Sequence, residues 1–284
     1  MKTNILIAIM NIVKTPITEI NEYYTSHNRA NNMGEALEEY VKDMFSGTIK
    51  ETDKIKRDLA FSNFFSYLGT QNHPPDFILK GGDAVEVKKI ENINSGLALN
   101  SSYPKAKLFS SSSMITSACR ECEVWDEKDI IYAVGVVKGN KLSSLCMFYG
   151  IDYAASAEIY ERIKKTVSAG ISTTTSVEFS ETKELGRVNK VDPLGITHLR
   201  IRGMWGIENP MKVFKDFYRS DDSKDFNYMA LINNEKYKSF SLSDRKLFEK
   251  MVKATPDLKF KDIEIKTPDN PAKLKKAKLI SFKI

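Results

Sequence analysis

Pro75-Asp76-Phe77-Ile78-Leu79-Lys80-Gly81-Gly82-Asp83-Ala84-Val85-Glu86-Val87-Lys88-Lys89 holds two short apolar runs on either side of a glycine pair. Phe77 to Leu79 is the first run. Ala84 to Ile90 is the second, and it alternates with period two. Two such runs joined by a glycine turn predict a β-hairpin. In the second strand Glu86 and Lys88 are two residues apart, so both side chains leave the same face. Asp76 opens the first strand and comes beside them once the strands pair.

That arrangement puts two carboxylates and an ammonium around one small space. Carboxylate oxygens with room for water suit Mg²⁺, a hard cation that keeps much of its hydration shell. A lysine alongside can orient an attacking water, help deprotonate it, or offset charge on a phosphate. Asp76 and Glu86 are therefore the expected metal ligands, and Lys88 the expected helper. The competing reading is a surface hairpin whose polar face carries Glu86 and Lys88 as a solvated pair.

Upstream, Gly34 to Phe45 has a strong helical period, with Leu37, Tyr40, Val41, Met44 and Phe45 as its apolar stripe. Glu38 borders that stripe and is a further candidate for the site. Glu35 and Glu39 are expected to turn toward solvent. Helices are also expected over 5–13, 17–24 and 55–68, with 70–75 a loop whose prolines launch the strand. His73, in that loop, reads as an incidental surface group.

Downstream, 97–108 and the serine run 110–113 are rich in Asn, Ser, Lys and Tyr, groups that donate to phosphates. Asn100, Ser101, Ser102, Lys105 and Lys107 are expected DNA contacts; a flexible surface loop is the plainer alternative. Cys119 and Cys122 have metal-like spacing but no second close pair, so they read as thiols packed in or near the core. Residues 129–137 form a continuous β-branched run, a central strand buried on both faces, with 142–150 as its partner. A helix is expected over 154–169. Arg200 and Arg202 alternate with apolar residues on one strand face and can clamp phosphates or read guanine edges. Asn209, just beyond, joins them as an expected DNA contact. A helix over 211–218, a strand over 226–233 and a helix over 243–253 follow. The tail from Pro256 mixes lysine with apolar residues and reads as a basic edge.

The chain has 284 residues, enough for a sizeable core, and a formal charge of +6, compatible with a polyanionic partner. Three cysteines do not make a disulfide framework and fit a reducing compartment. The apolar run near the start lacks the flanks of a signal peptide, and no run reaches the roughly 18 apolar residues of a membrane span. A cytoplasmic protein without membrane contact is expected. The fold class is α/β: a mixed β-sheet flanked by helices, with the site at one edge and C-terminal embellishments. One domain over 1–284 is expected, with a catalytic core at about 30–150 and recognition elements at about 95–118 and 170–284.

Pro75-Asp76 followed by Glu86-Val87-Lys88 resembles the PD-(D/E)xK nuclease superfamily. Residues 28–43, 74–76, 81–89 and 99–105, together with 202–210, resemble the NgoPII family of type II restriction endonucleases. The resemblance implies a Mg²⁺-dependent endonuclease that cuts double-stranded DNA at GGCC, between the central G and C. It implies defence beside a cognate DNA methyltransferase. By the same resemblance Asp76 and Glu86 hold the metal, Lys88 assists the water, and a helix glutamate, Glu38 here, faces the site. A palindromic target predicts a twofold homodimer. The rival functions are a structure-specific nuclease of the same superfamily, such as a junction resolvase or repair enzyme, and a non-catalytic DNA-binding protein.

Overall fold

A computed structural model describes residues 2–284 apart from 27–29, 31, 71, 72, 100, 101 and 183. The expected DNA contacts Asn100 and Ser101 lie outside the described residues. The chain opens with α1 (Ile5–Lys14), capped by the Asn4 side chain, which accepts from the Leu6 and Ile7 amides. After α2 (Ile20–Ser26) comes α3 (Met33–Ser46). Asn32 caps its start, and Gly47 ends it in the left-handed conformation, φ 73°. Next, α4 (Lys54–Phe64) runs directly into β1 (Phe65–Thr70). The helix expected to reach Leu68 therefore stops at Phe64. From there Phe65 and Tyr67 alternate inward while the chain pairs antiparallel with β2 (His73–Leu79), so sheet pairing overrides helical periodicity. The strand also begins at His73, earlier than the prolines suggested.

The hairpin is completed by β3 (Ala84–Ile90). Short strands β4 (Leu97–Ala98) and β5 (Lys107–Phe109) and the small helix α5 (Ser117–Glu121) lead to the long β6 (Glu127–Lys138) and β7 (Lys141–Tyr149). An excursion follows, with α6 (Ala157–Ser172), β8 (Glu178–Phe179), β9 (Gly186–Asn189), β10 (Leu199–Ile201) and β11 (Gly206–Ile207). The short helix α7 (Pro210–Val213) ends well before Tyr218, where a longer helix was expected. The chain returns to the sheet with β12 (Asn227–Asn233), passes through α8 (Asn234–Ser239) and α9 (Leu242–Ala254), and closes with β13 (Leu258–Lys266) and β14 (Leu274–Lys283).

The main sheet runs β1-β2-β3-β6-β7-β12-β14-β13, with β5 added against β6. It is mixed: β3 with β6 and β7 with β12 are parallel, while the other neighbours are antiparallel. Side chains of β6 alternate between two cores. Ile131 and Ala133 pack with α1 and α3 on one face; Ile130, Tyr132 and Val134 pack under the 97–125 and 211–218 segments on the other. This is the buried central strand expected from its unbroken apolar run. The tail forms a basic edge of the sheet, with β13 outermost. Its two strands pair over nine residue pairs and join the sheet through β12. Lysines on the outward positions mask the period-two signal there.

Candidate active site

The hairpin is tight at its turn and splayed at its open end. Its ladder has only two Cα pairs, Phe77 with Val85 and Ile78 with Ala84. Pro74 and Pro75 have no amide hydrogen to continue it. Instead the Asp76 carboxylate accepts the Val87 amide at 2.6 Å, replacing a ladder bond by a side-chain bond. β1 closes on this point through Gly69. A Cβ there would lie 2.4 Å from the Pro75 carbonyl oxygen and 2.9 Å from that of Asp76, so any larger residue pushes Asp76 out of place.

The splay leaves a cavity of about 340 Å³ lined by Asp76, Glu86 and Lys88. Lys88 Nζ donates to Glu86 Oε1 at 2.5 Å. The other oxygen, Oε2, is buried and has no hydrogen-bond partner. Burial pushes the Asp76 carboxyl far above the usual carboxylate range, to about 8, with the Glu86 charge adding to the shift; Lys88 and the Val87 amide oppose it. For Lys88 burial acts downward, but Glu86 and Asp76 outweigh it and hold the ammonium above the ordinary lysine range. Lys88 is thus the cation that both acids share at the cavity, and it does not satisfy them fully. Burial holds the Asp76 carboxyl high, and Glu86 has an orphaned oxygen.

That deficit tests the fit of a metal. Among the described residues no group of three or more His, Cys, Asp or Glu could by itself enclose an ion. Two carboxylates facing an open cavity fit a hard cation that retains waters and takes its remaining ligands from substrate. They do not fit a zinc cage, and Cys119 and Cys122 are free thiols, Cys119 being buried in the second core.

The other expected residues divide. Glu38 does not line the cavity. Its carboxylate pairs with Lys42 at 2.7 Å, yet its charge is felt by both Asp76 and Lys88. Glu39 does not point to solvent as expected: it pairs with Lys42 at 3.0 Å and with Arg57, which also holds the buried Asp43 at 2.8 Å. Ser102, Lys105 and Arg202 all line the cavity. Arg200 and Arg202 share a side, as their spacing predicts, since both reach Glu184, at 2.6 Å and 2.5 Å. Lys107 lies on β5 paired with Glu127, away from the cavity wall. Asn209 needs correction as a DNA contact. It is 0% exposed, caps α7 by accepting from the Met211 amide at 2.9 Å, and donates to the Ile93 carbonyl at 2.6 Å. An Asn directly before Pro210 at a helix start was the available signal.

Three cavity residues were passed over in the sequence. His73, read as incidental, lies on the wall because the strand starts at His73 itself. Tyr103 and Tyr132 line it too. Tyr103 stacks on Tyr160 with centroids 5.2 Å apart, and Trp205 meets both rings edge-on, which ties the 97–105 segment to the arm that carries Arg202. Nothing in local spacing signals these contacts.

A splayed hairpin near one edge of a mixed sheet, presenting two acids and a lysine, defines the restriction-endonuclease-like class of α/β nuclease folds. Within that class, the model of the NgoPII restriction endonuclease family matches residues 3–266. The chain is 52% identical over 282 residues to Type II restriction enzyme NgoPII of Neisseria gonorrhoeae, covering 98% of this chain and 99% of that one. The chain belongs to the NgoPII restriction endonuclease family and is a type II restriction endonuclease. No solved structure matches it at a significant level.

Proposed function

We propose that the enzyme hydrolyses phosphodiesters of double-stranded DNA with Mg²⁺, at GGCC, leaving 5′-phosphate and 3′-hydroxyl ends. The observation that carries the reading is the single cavity joining Asp76, Glu86 with its unpartnered Oε2, and Lys88. Asp76 and Glu86 hold the ion. When bound, it supplies Lewis-acid polarisation of the phosphate and neutralises developing charge. Lys88 donates a hydrogen bond that orients the attacking water, and Glu86 keeps that ammonium in place. Glu38 shapes the site from outside the cavity by adding negative charge toward Asp76 and Lys88. Ser102, Lys105 and Arg202, which share the cavity wall, contact the DNA strand being cut, and Arg200 acts beside them.

The whole chain works as one domain, with recognition carried by about 95–118 and by parts of 170–284. The target is a palindrome, so two copies act as a homodimer, each cutting one strand. A cognate DNA methyltransferase protects the host sites, and the enzyme works in the cytoplasm. No helix among the described residues is long and apolar enough to cross a membrane. GGCC rests on the family resemblance alone. Digestion of a DNA of known sequence with Mg²⁺, followed by end mapping, tests all of this: discrete fragments ending between the central G and C are expected. Random nicking, or cutting only at branched substrates, would contradict it.

The pH dependence follows from Asp76. Its carboxyl titrates higher in the folded protein than in the unfolded chain, so the folded state retains a proton that the unfolded state releases. That stabilising contribution is fully present below the ordinary carboxylate range and is lost as pH climbs through about 8. A cation held by Asp76 requires that proton to leave. Mg²⁺ is therefore expected to raise the melting temperature more at about pH 9 than at about pH 6. Equal increments at both would remove Asp76 as a ligand.

A further inference from the structure

Lys105 differs from the other cations around the site. It stands on the wall shared by the catalytic cavity and a neighbouring cavity of about 550 Å³, with Ser102, Tyr103 and Met114. Lys88 is engaged by Glu86, Lys107 by Glu127 and Arg202 by Glu184. Among the described residues, the Lys105 ammonium has no ion pair and no hydrogen bond; the Tyr103 ring lies 5.0 Å from Nζ to centroid, and burial pulls the ammonium below the ordinary lysine range against the opposing charges of Glu86 and Glu161, neither of which pairs with it. The backbone beneath it is fixed. Its amide donates to the Tyr132 hydroxyl at 2.8 Å. Its carbonyl oxygen lies over Gly150, where a Cβ would come within 2.2 Å. The side chain is half-buried, unlike a lysine that gathers a phosphate from solvent. A positioned, partly desolvated cation that no carboxylate engages directly can take an incoming anion.

We propose that Lys105 is a second catalytic lysine, whose ammonium binds a non-bridging oxygen of the scissile phosphate and stabilises the charge that gathers there during attack. This rests on the nuclease reading above and assigns a further part of the same site. The bond changes are those of hydrolysis: a water oxygen joins phosphorus as the bond from phosphorus to the 3′-oxygen breaks. The water's proton is passed, directly or through solvent, to the leaving 3′-oxygen, which becomes the 3′-hydroxyl. Lys105 gives and takes no proton; it supplies fixed positive charge where the transition state needs it. An anchored ammonium stabilises that state more than the bound ground state, because it requires no reorganisation as charge develops.

The test is single-turnover cleavage, at saturating enzyme, of a duplex carrying the mapped cut site, alongside binding of that duplex in EDTA. Lys105→Met keeps the stem against Tyr103 and removes only the charge; Lys105→Arg restores it. Lys105→Met is expected to lower the cleavage rate about 100-fold with binding little changed, and Lys105→Arg to recover part of the rate. Melting temperatures matching the parent show that the variants are folded. Weakened binding with an unchanged rate at saturation would make Lys105 an ordinary backbone contact, and a parental rate and affinity would leave it no role; either overturns the assignment. A parent protein inert on duplex DNA with Mg²⁺ would instead remove the nuclease reading, and Lys105's role with it.

Discussion

Lys88→Ala is expected to abolish cleavage, a fall of about 10²–10⁴-fold, while a gel-shift complex with duplex DNA persists. The reason lies in what Lys88 touches. Its ammonium contacts Glu86 within the cavity and is not one of the exposed cations that attract the DNA backbone. On the proposed mechanism, removing it takes away the group that orients water and leaves the binding surface intact. Asp76→Ala is expected to behave alike in cleavage, since it removes one of the two acids proposed to hold the ion. Asp76 accepts the Val87 amide in place of a ladder bond, so in the absence of metal Asp76→Ala leaves that donor unpaired and is expected to melt below the parent. Cleavage near the parental rate by either variant would take that residue out of the mechanism.

Arg57→Met is expected to destabilise the fold by about 3–5 kcal/mol. Arg57 joins α4 to α3 by pairing with Asp43 and Glu39, and its guanidinium lies 4.3 Å from the Phe61 ring centroid. Asp43 is 0% exposed. Burial raises its carboxyl, and Arg57 does most to bring it back down, helped by hydrogen bonds from Thr48 at 2.5 Å and Tyr24 at 2.8 Å. Methionine fills the space but leaves the carboxylate buried without its guanidinium, and that is the expensive half of breaking a buried pair. The carboxyl can escape the penalty by taking a proton, so the loss is expected to shrink toward acid pH. Chemical denaturation at neutral and mildly acidic pH measures both. A loss under about 1 kcal/mol would show that Thr48 and Tyr24 suffice. Because α3 carries Glu38, the same variant also tests whether this helix is held rigidly beside the site.

Much of the site was legible because its signals are local. Gly81-Gly82 between two apolar runs specifies a hairpin, and the spacing of Glu86 and Lys88 places both on one face; the structure keeps both features. The run 129–137 announced a doubly buried strand in the same way. The failures share a cause. Phe61, Phe64, Phe65 and Leu68 look like one helical stripe, yet the chain changes conformation at Phe65 because β2 offers it a partner. The strands of the tail were not legible because lysines interrupt its alternation, yet β12 pairs along its whole length with β14. Glu39 looked solvated until Arg57, 18 residues away, reached it.

By itself the sequence determined the family and the hairpin, and it put two acids and a lysine within reach of one another, since motif, turn chemistry and side-chain period act between near neighbours. Tertiary structure alone decided how those groups are used. It splayed the hairpin at Asp76, buried one Glu86 oxygen without a partner, and brought Lys105 and Arg202 to the same cavity from distant segments. Burial and charge at a site are sums over everything packed around it, and most of those contributors are remote in the chain.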